Sequence, residues 1–174
     1  VQVFAGVQDA MAHFATDRVV VKRQVGAGGI GQHSFARDSL PDDSWTMGCP
    51  CMVQPFLPSV VEEGEFTYVF IDGAFSHGVC KRAGPDDYRI QSLYGGYETP
   101  YTPDARDLAA AQAVVAALPF EPLLYARIDM VRLPSGTLAV MEAELIEPYL
   151  YPEQADNLGE LVARAVRARL PGGS

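Results

Sequence analysis

Leu124-Tyr125-Ala126-Arg127-Ile128-Asp129-Met130-Val131-Arg132, then Pro134-Ser135-Gly136, then Leu138-Ala139-Val140-Met141-Glu142-Ala143-Glu144-Leu145 is the stretch that decides the fold. Two strand-like flanks meet at a Pro-Ser-Gly turn, so the stretch reads as an antiparallel hairpin. A turn symmetric about Ser135 and Gly136 sets Asp129 opposite Glu142 and Arg127 opposite Glu144. Steps of two keep all four on one face, and the other face is apolar, with Ile128, Met130, Ala139 and Ala143. Carboxylates held directly opposite one another repel unless something compensates. A divalent cation does so, and Mg²⁺ is commonly held by one or two carboxylates together with substrate phosphates. The plain alternative is a solvated polar face on which Arg127 neutralises Glu144. A one-residue bulge would spoil the pairing.

Upstream, Phe66–Ile71 and Ala74–Lys81 flank Asp72-Gly73, a favoured type I′ hairpin turn. Unshifted pairing sets Phe70 opposite Phe75, Tyr68 opposite His77 and Phe66 opposite Val79. That makes an apolar face in which His77 is a packed core histidine rather than a catalytic base. Residues 84–102 are rich in Gly, Pro and Tyr. Loops this long are often functional, so this one is the candidate for substrate contact. Its tyrosines, Tyr88, Tyr94, Tyr97 and Tyr101, suit packing equally well. Helices are expected over Pro103–Leu118, stopped by Pro119, and over 152–170, with Leu158, Leu161, Val162, Ala165, Val166 and Leu170 on one side.

Toward the N-terminus come a short helix (6–16), a β-branched strand (Arg18–Lys22), a Gly26–Gly31 loop, a polar loop (36–50) and a strand (Cys51–Leu57) closed by Pro58. Lys22 and Lys81 are the two lysines of the chain. Each ends a strand just before a glycine-containing loop. Free N–H groups of the Gly26–Gly31 loop could cradle phosphates. No Gly-Lys-Ser/Thr makes it a P-loop, and no helix opens after it as in a dinucleotide fingerprint.

Composition narrows the classes. The 174 residues carry 13 basic and 22 acidic side chains, a formal net charge of −9, which disfavours a sequence-independent nucleic-acid binder. With 48% hydrophobic and 20% charged residues the composition is ordinary globular. No uncharged apolar run reaches the roughly 18 residues of a membrane span, and no basic-then-apolar leader opens the chain. A cytoplasmic protein without a membrane partner is expected. Cys49 and Cys51 lack the second ligand pair of a zinc knuckle. His13, His33 and His77 are scattered, and no Ser/His/Asp or Cys/His set stands out.

Taken in order, Val20-Val21-Lys22, the Gly26–Gly31 loop, Val53-Gln54-Pro55-Phe56-Leu57, Gly64-Glu65-Phe66-Thr67, Arg127-Ile128-Asp129 and Met141-Glu142-Ala143-Glu144 resemble the ATP-grasp superfamily. The likeness spans residues 14–170 and looks closest to the carboxylate–amine ligase branch of glutathione synthetases and D-alanine–D-alanine ligases. The ending Glu142–Pro148 looks like D-cycloserine-synthetase-type members. The resemblance implies an α+β fold of two lobes with mostly antiparallel sheet. The small lobe would cover residues 1–57 and the large lobe 58–174, and the N-terminal domain of longer members would be missing. It implies ATP and Mg²⁺, with Mn²⁺ as a substitute. Lys22 would reach ATP phosphate and adenine, Gly28 and Gly29 would cover the phosphates, and Gln54, Phe56 and Leu57 would form the adenine hinge. Glu65 would hold the ribose hydroxyls. Lys81 or Arg89 would face the phosphates or the carboxylate substrate, Arg127 would stabilise the transition state, and Asp129, Glu142 and Glu144 would hold magnesium. Two departures stand out: Glu144 takes a position where Asn is frequent, and Pro55 removes an N–H from the hinge.

The activity so implied is ATP-dependent joining of a carboxylate to an amine through an acyl phosphate, with ADP and phosphate released. The substrates would be small molecules, with a homodimer among the open assemblies. The alternative is a non-catalytic nucleotide-binding or interaction fragment.

Overall fold

The computed structural model describes residues 3–85, 87–121 and 123–171. The chain divides into two compact units, Val1–Pro58 and Ser59–Ser174, each built on an antiparallel sheet. No helix among the described residues is long and apolar enough to cross a membrane.

The first unit holds helix α1 (Val7–His13) and strands β1 (Arg18–Arg23), β2 (His33–Ala36) and β3 (Cys51–Pro55), in sheet order β2-β1-β3. Val19, Val20 and Val21 make β1 the buried centre. Strand β2 is absent from the sequence reading because it is short and follows the glycine loop directly. Its rings account for it: Phe35 meets Trp45 at 4.8 Å and lies parallel to His33 at 6.1 Å. Gly28 and Gly29 turn the chain before it at φ 63° and 69°, where a side chain would be strained.

The second unit holds β4 (Glu65–Ile71), β5 (Ala74–Arg82), β6 (Tyr97–Tyr101), β7 (Tyr125–Arg132) and β8 (Leu138–Glu144), in order β6-β5-β4-β7-β8. Its helices are α2 (Ser59–Glu62), α3 (Ala105–Ala116) and α4 (Leu158–Arg169). Strand β6 lies inside the stretch 84–102 expected to be a loop, and Tyr101 packs in the core, 4.8 Å from Phe66. Asp104 starts α3 by accepting from the Asp107 N–H at 2.8 Å. The C-terminal helix begins at Leu158, later than expected, after a short 3₁₀ turn at Pro152–Gln154.

Side chains on the two sheet faces go to different partners. Phe66, Tyr68, Phe70, Ala126, Ile128 and Met130 pack against Ala110, Ala111, Val114 and Val115 of α3. On the opposite face Val69 and Ile71 pack against Leu158, Leu161, Val162 and Ala165 of α4. Beyond the reach of α4 that second face turns polar.

Two bulges decide what stands on it. Asp72 and Gly73 both have positive φ, as a type I′ turn requires. Phe70 then faces Phe75, but the register shifts and Val69 faces His77, leaving Ser76 as the extra residue. The expected apolar face is therefore corrected: His77, Val79 and Lys81 move to the side of Val69, Thr67 and Glu65. In the second hairpin the turn closes with Leu133 N–H on the Thr137 carbonyl at 2.8 Å, one residue tighter than expected. Alone this would put Met141 opposite Asp129. A bulge at Met141 restores the register, so Asp129 faces Glu142 and Arg127 faces Glu144. The bulge feared to spoil the pairing is what produces it.

Candidate active site

Strand pairing lays the site out as rungs across the second sheet. Glu65 stands opposite Lys81, Thr67 opposite Asp129, and Asp129 opposite Glu142. Val69 stands opposite Arg127, and Arg127 opposite Glu144. Antiparallel partners share a face, so every one of these side chains leaves the sheet on the same side.

Asp129 is the hub and is fully buried. Its Oδ1 accepts from Thr67 Oγ1 at 2.7 Å. Its Oδ2 accepts from Lys81 Nζ at 2.8 Å and from Arg127 Nη2 at 2.9 Å. Lys81 also donates to Glu65 Oε1 at 2.7 Å. Arg127 pairs with Glu144 as well, and its Nη1 donates to the Tyr149 carbonyl at 3.3 Å. Oxygens of Asp129, Glu142 and Glu144 lie within 4.8 Å of one another. Four carboxylates against two cations leave a formal excess of two negative charges. An all-oxygen donor set with that excess suits a hard divalent cation.

Electrostatics sort the acids. Burial pushes the Asp129 carboxyl up. The charges of Lys81 and Arg127, with hydrogen bonds from Lys81 and Thr67, outweigh it and hold the carboxyl below its ordinary range. Burial works against the Lys81 charge, but Glu65 and Asp129 more than reverse it and the ammonium is held on. Glu65 is raised because burial outweighs its pairing with Lys81. Glu144 is also raised: burial, with repulsion from Glu142 and Asp129, exceeds the attraction of Arg127. As pH falls, Glu144 therefore takes up a proton earlier than an ordinary glutamate. If Glu144 is one of the groups that hold a divalent cation, Mn²⁺ affinity should start to fall above the usual carboxylate range of about pH 4.3. Calorimetric Mn²⁺ titrations across that range check this, and an affinity constant down to that pH would remove Glu144 from the ligand set.

The structure thus brings together Glu65, Lys81, Arg127, Asp129, Glu142 and Glu144. Lys81 is a buried counter-ion here rather than an open cation. Arg89 is engaged elsewhere: its Nη2 donates to Asp87 Oδ2 at 2.6 Å and its guanidinium lies 3.3 Å above the Tyr94 ring. Lys22, Gly28, Gly29, Gln54, Phe56 and Leu57 belong to the first unit. There Gln54 pairs with Val20, and the Phe56 N–H donates to the Arg18 carbonyl at 2.9 Å.

Sequence reasoning left three contributors without a role. Thr67 was legible: it is a lone polar residue among Phe66, Tyr68, Val69 and Phe70, two steps from Glu65 and hence on its face. The Tyr149 carbonyl and the Tyr151 ring carried no signal, because both depend on how the chain returns after β8. That ring is 5.7 Å from the Arg127 guanidinium and 5.9 Å from Lys81 Nζ.

No family model matches the chain. Among curated proteins it is 34% identical over 129 residues to the cycloserine biosynthesis protein DcsG of Streptomyces lavendulae, covering 71% of this chain and 43% of that one. The crystal structure of D-cycloserine synthetase DcsG superposes with a TM-score of 0.78 at 25% identity, covering 94% of this chain and 60% of that one. D-alanine–D-alanine ligase from Bacillus anthracis, complexed with ATP, gives a TM-score of 0.59 at 18% identity over 92% of this chain and 56% of its own. The ATP-grasp ligase PsnB, with a precursor variant, Mg and ADP, gives 0.60 at 17% identity over 90% of this chain and 47% of its own. This chain spans about half the length of the relatives it matches. Two α+β units on antiparallel sheets, the acidic rungs beside Arg127, and these likenesses agree: the chain belongs to the ATP-grasp superfamily.

Proposed function

We propose that this chain is the ATP- and metal-binding portion of an ATP-dependent carboxylate–amine ligase. The observation that carries the reading is the Arg127 guanidinium fixed beside three converging carboxylates with a residual double negative charge. Phosphoryl transfer asks a protein mainly to position and neutralise, and this cluster does both without a nucleophilic side chain. Asp129, Glu142 and Glu144 would hold Mg²⁺, which when bound neutralises phosphate oxygens. Arg127 keeps an Nη1 hydrogen beside the one given to Tyr149 and offers it to the charge that develops on the transferred phosphoryl group. Lys81 holds Asp129 ionised and in place.

In the first unit, Lys22 and the Gly26–Gly31 loop supply the cation and N–H groups that phosphates need, and Gln54, Phe56 and Leu57 supply the hinge. Because the Phe56 N–H is already given to Arg18, Pro55 has none and Gln54 is paired with Val20 inside the sheet, adenine recognition by the hinge falls to the Leu57 backbone. Glu65 Oε1 is taken by Lys81, so its second oxygen is the ribose acceptor. A substrate carboxylate would attack the γ-phosphate, and an amine would then displace phosphate to form the amide. Both are small molecules in this reading, with the cytoplasm as setting and a homodimer among the open assemblies.

Isothermal titration with ADP and ATP should give binding in the sub-millimolar range that depends on Mg²⁺. Absence of Mg²⁺-dependent binding at millimolar nucleotide overturns the reading. Binding without ADP release from the full-length protein, across a panel of carboxylates and amines, would favour a non-catalytic module.

A further inference from the structure

The Ser76 bulge that carries Lys81 to the site face also carries His77 there, opposite Val69. His77 is half-buried and both ring nitrogens are engaged. Nε2 lies 3.0 Å from the Leu150 carbonyl and Nδ1 lies 3.0 Å from Ser76 Oγ. A carbonyl only accepts, so Nε2 carries the proton and Nδ1 accepts from the Ser76 hydroxyl. Burial lowers the pKa of the ring, against its hydrogen bonding to the 150–151 backbone, which keeps this neutral tautomer.

The residue it grips lies between two that serve the cluster. Tyr149 gives its carbonyl to Arg127 Nη1, and Tyr151 lays its ring beside Arg127 and Lys81. The segment is held against its backbone preference: Glu147 and Tyr151 sit at φ 55° and 49°, where residues other than glycine stay only when their surroundings fix them. The Tyr151 side chain is nonetheless buried.

We infer that His77 is a positioning residue: by donating to the Leu150 carbonyl it pins the strap 149–151, and the strap orients the Arg127 guanidinium. This rests on the ligase reading of the Arg127 site. Ser76 belongs to the device, because its hydroxyl selects the tautomer that donates to Leu150.

The test compares His77→Phe, His77→Gln and Ser76→Ala with the unaltered chain. The probes are amide hydrogen exchange and affinity for ADP in the presence of Mg²⁺. Phe fills the space and removes the donor. Exchange over residues 147–152 should then rise at least about tenfold while β4 and β7 stay protected, and Mg²⁺·ADP affinity should fall about tenfold. Gln places an amide N–H near the position of Nε2 and should restore most of both. Ser76→Ala should fall between, since the freed Nδ1 competes for the proton. Unchanged exchange at 147–152, or exchange raised equally through β4 and β7, overturns the inference, the second because it shows mere structural damage. If His77→Phe does not fold, a Ser76→Ala chain that behaves as the unaltered one overturns it instead. Failure of the ligase reading looks different: the unaltered chain itself would bind no Mg²⁺·ADP, while the exchange comparison would still be read.

Discussion

Replacing Lys81 by Met should destabilise the second unit by about 3–5 kcal/mol, among the largest single-residue effects expected in this chain. The ammonium is buried and donates to Glu65 at 2.7 Å and Asp129 at 2.8 Å. Methionine matches its length and apolar stem, so cavity formation contributes little and the loss is electrostatic. The two carboxylates do not suffer equally. Asp129 keeps Arg127 and Thr67, whereas among the described residues Glu65 pairs with no other cation. Glu65 is already raised by burial, so taking up a proton is its route to relief, which limits the damage. Hence Lys81→Met combined with Glu65→Gln should recover roughly half of the loss. Urea denaturation of the single and double variants measures this. A single-variant loss below about 1 kcal/mol would mean that the ion network adds nothing to stability.

That network also shows where sequence reasoning reaches and where it stops. Strand identity was legible throughout β1, β3, β4, β5, β7 and β8, because alternation and turn residues are local properties. The pairing of Asp129 with Glu142 was legible as well, although two unseen features, a shorter turn and a bulge at Met141, cancelled to give it. The same arithmetic failed at Asp72-Gly73, where the turn was right and the Ser76 bulge was not foreseen. Bulges are settled by what the far end of a strand must pack against. Here those demands are Lys81 beside Glu65 and His77 under residue 150, both set by partners distant in sequence. Strands β2 and β6 were missed for a related reason. Their residues have weak patterns of their own and become strands by pairing with β1 and β5. Arg89 and Lys81 looked equivalent as cations near a glycine-containing segment. Only the register, with Lys81 opposite Glu65, separates the one inside the cluster from the one held by Asp87.

Glu142→Gln should abolish metal-dependent function while leaving the fold intact, the opposite outcome to Lys81→Met. Glu142 is exposed and stands opposite buried Asp129. Its charge raises both Glu65 and Glu144, so removing it relieves repulsion rather than breaking a pair. The melting midpoint should therefore stay level or rise. Glutamine keeps the size and one carbonyl oxygen but removes a formal charge from the acidic excess that attracts a divalent cation. Turnover in the full-length protein should fall on the order of 10³-fold, since the site loses a carboxylate that would hold the cation neutralising the reacting phosphates. ADP binding measured with and without Mg²⁺ gives the sharper comparison. The metal-dependent part should vanish in the variant and the metal-independent part should not change. If turnover persists at the unaltered rate, Glu142 is a solvated surface acid, and the rung it forms with Asp129 is a consequence of strand register with no catalytic meaning.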